Sequence, residues 1–475
     1  MKKVVIIGGG LAGIAAGIKI LEEMKDADVR LYNMGHHLGG RATSWRDAEG
    51  FNIDHGLHGL FAPYTNMRRM LKRAGVKEKK TLVSNKRINL CYEESTGKVH
   101  SIAPDLRIPN PPYPFNTYRK ITNFGIKNAK TIYLDMDIEK YDDICYTAWA
   151  LEHGMDKEIT KMRWFRFSQD AAFNWPYEIS TYLTLMGVRK AVGTGKYFYI
   201  NGTYGENIIK PLTDYFEKLG GKIFIKKKLT ELIHDGQKIT GIKIGDPDAK
   251  IHGYGTIPWK DVVPVIQDSI QEINNIDALI LAIPPDCFRE LNWGDSFFWN
   301  GFKSIENLRT VVSLSYQVWT KESVMPTGTV TINGLDEPMG SVADYKTIKD
   351  EYKNNPGIGS ALEWVGQETS FENKTDDELK EIIFNAFLKV PGAKDPRKAG
   401  IIHESFNRNK ANHERYLLTE PGTVKFRPRT RTHFRNLFLA GDWIRSEIEM
   451  PCMEGAIVTG INAANETKKY FSKSR

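Results

Sequence analysis

The chain has 475 residues, enough for two or three domains with large cores, and its 41% hydrophobic and 26% charged content is that of a globular protein. A formal net charge of +8, with no dense Lys/Arg block, argues against a nucleic-acid partner and is compatible with an anionic membrane surface. Four scattered cysteines (Cys91, Cys145, Cys287, Cys452) show neither metal-ligand spacing nor a disulfide framework, and no apolar run reaches the roughly 18 residues of a membrane span. The sequence opens almost directly on a strand, so no targeting segment is expected before it and a reducing cytoplasm is the expected location.

Val4 to Ile7 are apolar and mostly β-branched, which predicts a strand buried on both faces. Gly8-Gly9-Gly10-Leu11-Ala12-Gly13 then fits G-x-G-x-x-G, and apolar residues continue at helical spacing to Leu21. Strand, glycine turn and helix in that order are the context a dinucleotide fingerprint requires. Gly8 permits the tight turn, Gly10 lets the backbone approach a pyrophosphate, and Gly13 lets the helix pack close to the strand. The helix start at Leu11 and Ala12 offers unpaired N–H groups to the anion. Residues 28 to 33 alternate as a second strand. The position that normally holds a ribose-gripping acid is Asn33, whose amide can accept one bond and donate another, so the ribose contact is expected to be weaker.

Gly39-Gly40-Arg41 follows that strand at the distance where one large group of flavoproteins closes over the flavin diphosphate: two glycines for close approach, and a forked charge. The segment from Phe51 to Phe61 is dense in glycine, histidine and aromatics. It reads either as a buried loop with satisfied histidines or as a loop passing the flavin ring toward substrate. Residues 104 to 118 carry five prolines and exclude regular helix or central strand. The following Arg119 to Lys130 interleave Ile121, Phe124 and Ile126 with basic residues, a pattern for a bilayer interface or for a solvated helix. The aromatic run from Trp164 to Tyr182 suits either core or a long apolar tunnel.

From Tyr197 the pattern is regular again. A strand to Ile200, a helix from Thr203 to Leu219, a strand from Lys222 to Ile225 and a hairpin of Leu229–Ile233 with Ile239–Ile244 are predicted. Residues 246 to 275 read as an insertion. Asp277 to Ile283 is a buried strand returning to the first sheet, and Val311 to Trp319 belongs to a separate large sheet. At the end, Asn436 to Trp443 is a buried strand closing on Gly441-Asp442, at the crevice where such sheets bind ligands. The helix beginning Met453-Glu454-Gly455-Ala456 aims N–H groups and a positive dipole at the flavin's pyrimidine edge.

With these motifs assembled, the sequence resembles the FAD-dependent carotenoid (phytoene and ζ-carotene) desaturases, within the amine-oxidase-like flavoproteins. Gly39-Gly40-Arg41 with Ser44-Trp45, Gly56-Leu57-His58 followed by Phe61 and Tyr64, Ala440-Gly441-Asp442-Trp443, and Met453-Glu454-Gly455-Ala456 carry the resemblance. It departs at Asn33, where glutamate is usual, at Ile444, where threonine is common, and in the 246–275 insertion.

The resemblance implies an α/β fold: a Rossmann-type FAD-binding domain (1–75, 197–285 and 430–475) with an inserted α+β substrate domain (76–196 and 286–429), residues 104–135 being a membrane-contact segment. It implies that FAD is held by Gly8, Gly10, Leu11, Ala12, Gly13, Asn33, Gly39, Gly40, Arg41, Gly56, Leu57, Gly441, Asp442, Met453, Glu454 and Ala456. An allylic hydride passes to flavin N5, with His58, His55 and Arg189 the candidate catalytic residues and no metal. The expected partners are a polyisoprenoid substrate, a quinone acceptor and the inner face of the membrane, met peripherally. Rival readings are an FAD-dependent oxidoreductase or isomerase of another long acyl or polyene chain, a flavin amine oxidase, and a non-enzymatic flavin or lipid carrier. Against the amine oxidase, Cys452 stands where one of that group's aromatic pair is often found.

Overall fold

The computed structural model describes residues 1–54, 56, 58–84, 88–93, 97–102, 115–157, 177–192, 197–248, 263–292 and 301–473. Strand β1 (Lys2–Ile7) leads through the glycine turn into helix α1 (Leu11–Glu23), and β2 (Ala27–Tyr32) returns parallel beside it. Three further strands complete a five-stranded parallel sheet in the order Lys222–Phe224, β2, β1, Ala278–Leu281, Leu437–Leu439. Val4 to Ile7 and Ala278–Leu281, at its centre, are apolar throughout because both faces are covered. One face packs on α1, Phe216 and the C-terminal helix (Met453–Lys473), the other on Leu232, Ile242, Phe288 and Phe434. This is the expected Rossmann-type α/β core.

The two ends of the chain close on each other. Helix α1 runs against the C-terminal helix so tightly that a Cβ at Gly460 would lie 2.2 Å from the Ala12 carbonyl oxygen. Only a glycine allows that approach.

The predicted hairpin is present as Lys228–His234 and Ile239–Gly245, and Gln271–Asn274, inside the stretch read as an insertion, adds a third antiparallel strand to it. A separate seven-stranded sheet runs in the order Ile401–Asn409, Ser313–Thr320, Ser360–Gln367, Met339–Asp344, Thr329–Asn333, Ile88–Glu93, Lys98–Ile102. Tyr316 and Trp364 on one of its faces pack under Phe384 and Phe387 of the helix Asp376–Leu388, which starts with a Thr375–Glu378 capping box. Tyr197–Ile200 lies in a third, small sheet between Gly59–Phe61 and Leu82–Ser84.

A helical group (Phe115–Lys127, Ala129–Tyr133, Tyr146–Glu152, Thr181–Met186) packs around Trp149. It corrects the interfacial pattern in one respect: Phe124 is 6% exposed and meets Trp149 edge-on at 6.0 Å, so it faces the protein. The apolar residues left outside are Ile126, Tyr133, Leu134 and Met136, at 60 to 95% exposure. Most of the proline run, and the aromatic run except for Tyr177 to Tyr182, lie outside the described residues. Among the described residues no helix is long and apolar enough to cross a membrane, and no cluster could hold a metal ion.

Candidate functional site

The glycines of the first turn divide into two kinds. Gly8 has φ +106, and a Cβ there would sit 2.2 Å from Ala282 O; one at Gly13 would sit 2.0 Å from Gly8 O. Those two are required by the fold itself. Gly10 is not: its Cβ would meet nothing nearer than Gly40 Cα at 3.9 Å. Gly10 caps α1 with no side-chain bond to the helix, which leaves the first-turn N–H groups of Leu11, Ala12 and Gly13 for a ligand. The Gly39-Gly40 loop lies directly beside this turn, Gly39 N–H donating to Gly9 O at 2.7 Å, and a Cβ at Gly40 would come 3.2 Å from Gly10 Cα. Two glycine backbones thus form one shallow cradle at the carboxyl end of β1.

Asn33 supports that cradle from behind. Its Oδ1 accepts from Gly9 N–H at 3.0 Å and its Nδ2 donates to Gly35 O and His37 O, each at 3.0 Å. Both amide donors are spent on backbone, so a ribose hydroxyl meets only the remaining lone pair of Oδ1.

Arg41 reaches across to the other end of the chain. Its Nη2 lies 2.6 Å from Asp442 Oδ1, its Nη1 donates to Arg415 O, and its guanidinium stacks over Tyr416 at 5.1 Å. The expected phosphate fork is therefore turned onto Asp442. The loop carrying Asp442 is fixed by Arg427, a residue that stands in no motif. Arg427 is fully enclosed and donates to the carbonyls of Asp442, Trp443, Ile444 and Glu449. Gly441 N–H is taken by Thr459 Oγ1 at 3.0 Å.

The C-terminal helix starts at the same place. Cys452 precedes it: its Sγ accepts from Gly455 N–H at 3.4 Å, its carbonyl accepts from Ala456 N–H at 2.9 Å, and the Tyr64 hydroxyl bonds its thiol. Burial pushes that thiol up to about 12, so it stays neutral. The N–H groups of Met453 and Glu454 have no partner among the described residues. The Glu454 side chain points elsewhere. Its carboxylate accepts from Asn66 N–H at 2.8 Å, Asn66 Nδ2 at 2.9 Å and Met67 N–H at 3.0 Å, and so caps the helix Thr65–Arg73. The helix backbone, not this side chain, faces the crevice.

His58 joins the group through Tyr204. Its Nδ1–H donates to Gly56 O at 2.6 Å, its ring lies 5.4 Å from that of Tyr204, and the Tyr204 hydroxyl bonds Met453 Sδ. Burial lowers its pKa against the opposing pull of Asp54 and the Gly56 carbonyl, so the ring is neutral. Gly56, at φ +143, makes the bend beside Val365. His55 and Leu57 lie outside the described residues. Arg189 is not brought to this group by its charge: Nε, Nη1 and Nη2 donate to Ile132 O, Asp135 O and Thr131 O, closing the carboxyl end of the helix Ala129–Tyr133.

A parallel sheet whose opening glycine turn, glycine–arginine loop and closing helix converge on one crevice defines a dinucleotide-dependent oxidoreductase of the flavoprotein class. The model of the flavin containing amine oxidoreductases matches residues 11–467, and the chain belongs to that family. It is 25% identical to the zeta-carotene desaturase of a Synechocystis strain over 97% of this chain and 96% of that one. It is 20% identical to the 15-cis-phytoene desaturase of Synechococcus elongatus, over 96% and 94%. The fold matches the cyclohexylamine oxidase of Brevibacterium oxydans with a TM-score of 0.68 at 14% identity, over the whole of both chains. The protein is an FAD-dependent oxidoreductase. The cradle fits that cofactor: the space at Gly10 and the unpaired N–H groups of two helix starts are donors for a diphosphate and a flavin edge.

Proposed function

We propose that the chain is an FAD-dependent desaturase of a long hydrophobic polyisoprenoid, phytoene- or carotene-like. The observation that carries this reading is the similarity to carotenoid desaturases along nearly the whole chain. The neutral Cys452 thiol just before the closing helix agrees with it, because one of the aromatic pair of this group's amine oxidases is expected at that place.

FAD supplies a two-electron hydride acceptor when bound, and a quinone is the oxidant that takes the electrons onward. The chain's own residues do the rest. Leu11, Ala12, Gly13 and the Gly39-Gly40 backbone hold the diphosphate, while Arg41 and Asp442 lock the two loops around it. The N–H groups of Met453 and Glu454 aim the positive end of a 21-residue helix at the ring edge and favour negative charge there. His58, neutral and fixed through Gly56 and Tyr204, shapes the ring-facing wall. The allylic cation is delocalised along the conjugated chain, so its neighbouring proton leaves without a strong base. Segments 1–75, 197–285 and 430–475 form the FAD-binding domain, and 76–196 with 286–429 the substrate domain.

The exposed Ile126, Tyr133, Leu134 and Met136, beside Lys127 and Lys130, form the face that meets the membrane storing such a substrate. The test is anaerobic incubation of the holoprotein with phytoene or ζ-carotene and a quinone, read by polyene absorption. A lengthened conjugated system supports the proposal. An altered isomer profile without added conjugation supports an isomerase, and peroxide release with small amines supports an oxidase.

A further inference from the structure

Beneath the histidine loop lies a buried charged cluster that cofactor binding does not use. Asp54, two residues before Gly56, is 5% exposed, and its Oδ2 accepts from Lys349 Nζ at 2.9 Å and from Asn52 Nδ2 at 2.8 Å. Lys349 is as deeply buried, with its ammonium 4.2 Å from the centre of the Tyr345 ring. The strand Asn52–Asp54 shares no ladder with the seven-stranded sheet and is stitched to it by side chains. Asp54 N–H donates to Gln317 Oε1 at 2.9 Å, Gln317 Nε2 donates to Asn52 O at 3.2 Å, and Ser315 Oγ donates to Asp54 O at 3.3 Å. The histidine loop leaves directly from this stitched strand.

Glu363 completes the cluster from the strand Ser360–Gln367, opposite Gln317 in register. It is fully buried, and the only hydroxyl beside its carboxyl among the described residues is that of Tyr345. The groups facing it are Asp54, Lys349 and Tyr345, with Tyr197 and Tyr199 behind Tyr345. The cation among them is already paired with Asp54. A buried carboxylate with no cation of its own in such a place is strongly disfavoured, so the neutral acid is the form this site holds. Burial and the Asp54 charge raise its pKa, against the smaller opposing pull of Lys349 and of the Tyr345 hydroxyl.

We propose that Glu363 is a positioning residue: protonated, it leaves Lys349 to Asp54 and keeps the His58 loop in place beside the cofactor; ionised, it competes for Lys349 and loosens that loop. The inference rests on the reading of the His58 loop as a wall of the flavin site. The sign of its pH dependence follows from the neutral native form. A carboxyl whose pKa is raised by folding adds stability at low pH and loses it as pH rises through the native pKa.

The test compares wild-type holoprotein with Glu363→Gln, an amide of the same shape as the neutral acid, by thermal unfolding and bound-FAD absorption from about pH 6 to about pH 10. The wild type is expected to lose Tm and shift its flavin spectrum along an alkaline limb. Glu363→Gln is expected to lose that limb while its Tm at neutral pH is equal or higher. Lys349→Met, which leaves Asp54 unpaired, is expected to show the displaced flavin spectrum already at neutral pH. A Glu363→Gln protein that keeps the wild-type alkaline limb, or has a lower Tm near pH 6, overturns the proposal. So does a Lys349→Met holoprotein with the wild-type spectrum. If no polyene is desaturated yet Glu363→Gln abolishes the limb, the substrate reading falls and this inference stands.

Discussion

The Arg41 guanidinium and the Asp442 carboxylate meet at 2.6 Å although 401 positions separate them in the chain. One belongs to the loop after the second strand, the other to the turn after the last. Their contact, with Tyr416 stacked against Arg41 and Arg427 holding the Asp442 carbonyl, joins the glycine–arginine loop and the Gly441-Asp442 turn into one wall. That wall exists only if both ends of the chain are folded together.

Asp442→Asn keeps the shape and removes the charge from this pair. Breaking a well-buried ion pair costs about 3–5 kcal/mol, and the 27% exposure of Arg41 lowers that figure. The expected result is an FAD Kd weakened by about tenfold or more, near 1.4 kcal/mol per decade, measured by fluorescence titration of apoprotein. Arg41→Lys keeps the charge but loses the fork and falls between the two.

Gly10→Ala and Gly460→Ala separate cofactor space from packing space. The first meets nothing within 3.9 Å, so apoprotein Tm is expected to stay near wild type while FAD binding is lost. The second drives a Cβ to 2.2 Å from Ala12 O, and both Tm and FAD binding are expected to fall. Paired calorimetry and flavin titration check the contrast.

Glu454→Ala removes an acceptor of three bonds from the start of the helix Thr65–Arg73. A loss of about 2 kcal/mol is expected, the upper end of a cap deletion, because the Met67 N–H left behind is buried and the two Asn66 donors are part-buried. Denaturant unfolding of the apoprotein measures it. Glu454→Gln, which retains one acceptor oxygen, is expected to recover part of the loss.

Ile126, Leu134 and Met136 changed together to Ser are expected to abolish flotation with anionic liposomes and leave Tm unchanged, since all three are at least 70% exposed. Phe124→Ser is expected to do the reverse: it opens a cavity under Trp149 and lowers Tm.

The elements read from period and punctuation were those whose cause is local. The glycine turn, the buried strands at Val4 and Ala278 and the hairpin around His234 depend on residues a few positions apart. Side-chain partners were not legible in the same way. Glu454 looks like a cofactor contact by its place in the motif, but its carboxylate is claimed by Asn66 and Met67, 388 and 387 positions away. Arg189 has the composition of a catalytic cation, yet three carbonyls 54 to 58 positions earlier bind it. The pattern around Phe124 showed an amphipathic helix without showing that Trp149 covers one side of it. Arg427 and Lys349 carry no motif, because their role is set by the carbonyls and the carboxylate that the fold places against them.

The reductive half-reaction separates polyene desaturation from every rival activity. Holoprotein is mixed anaerobically with phytoene or ζ-carotene in micelles, without any acceptor, and flavin and polyene absorption are followed together. If the chain is a polyene desaturase, the flavin band bleaches in step with the growth of a longer-wavelength polyene band, one new double bond per flavin reduced. A flavin that stays oxidised with every polyene offered, and bleaches with a small amine, would contradict it.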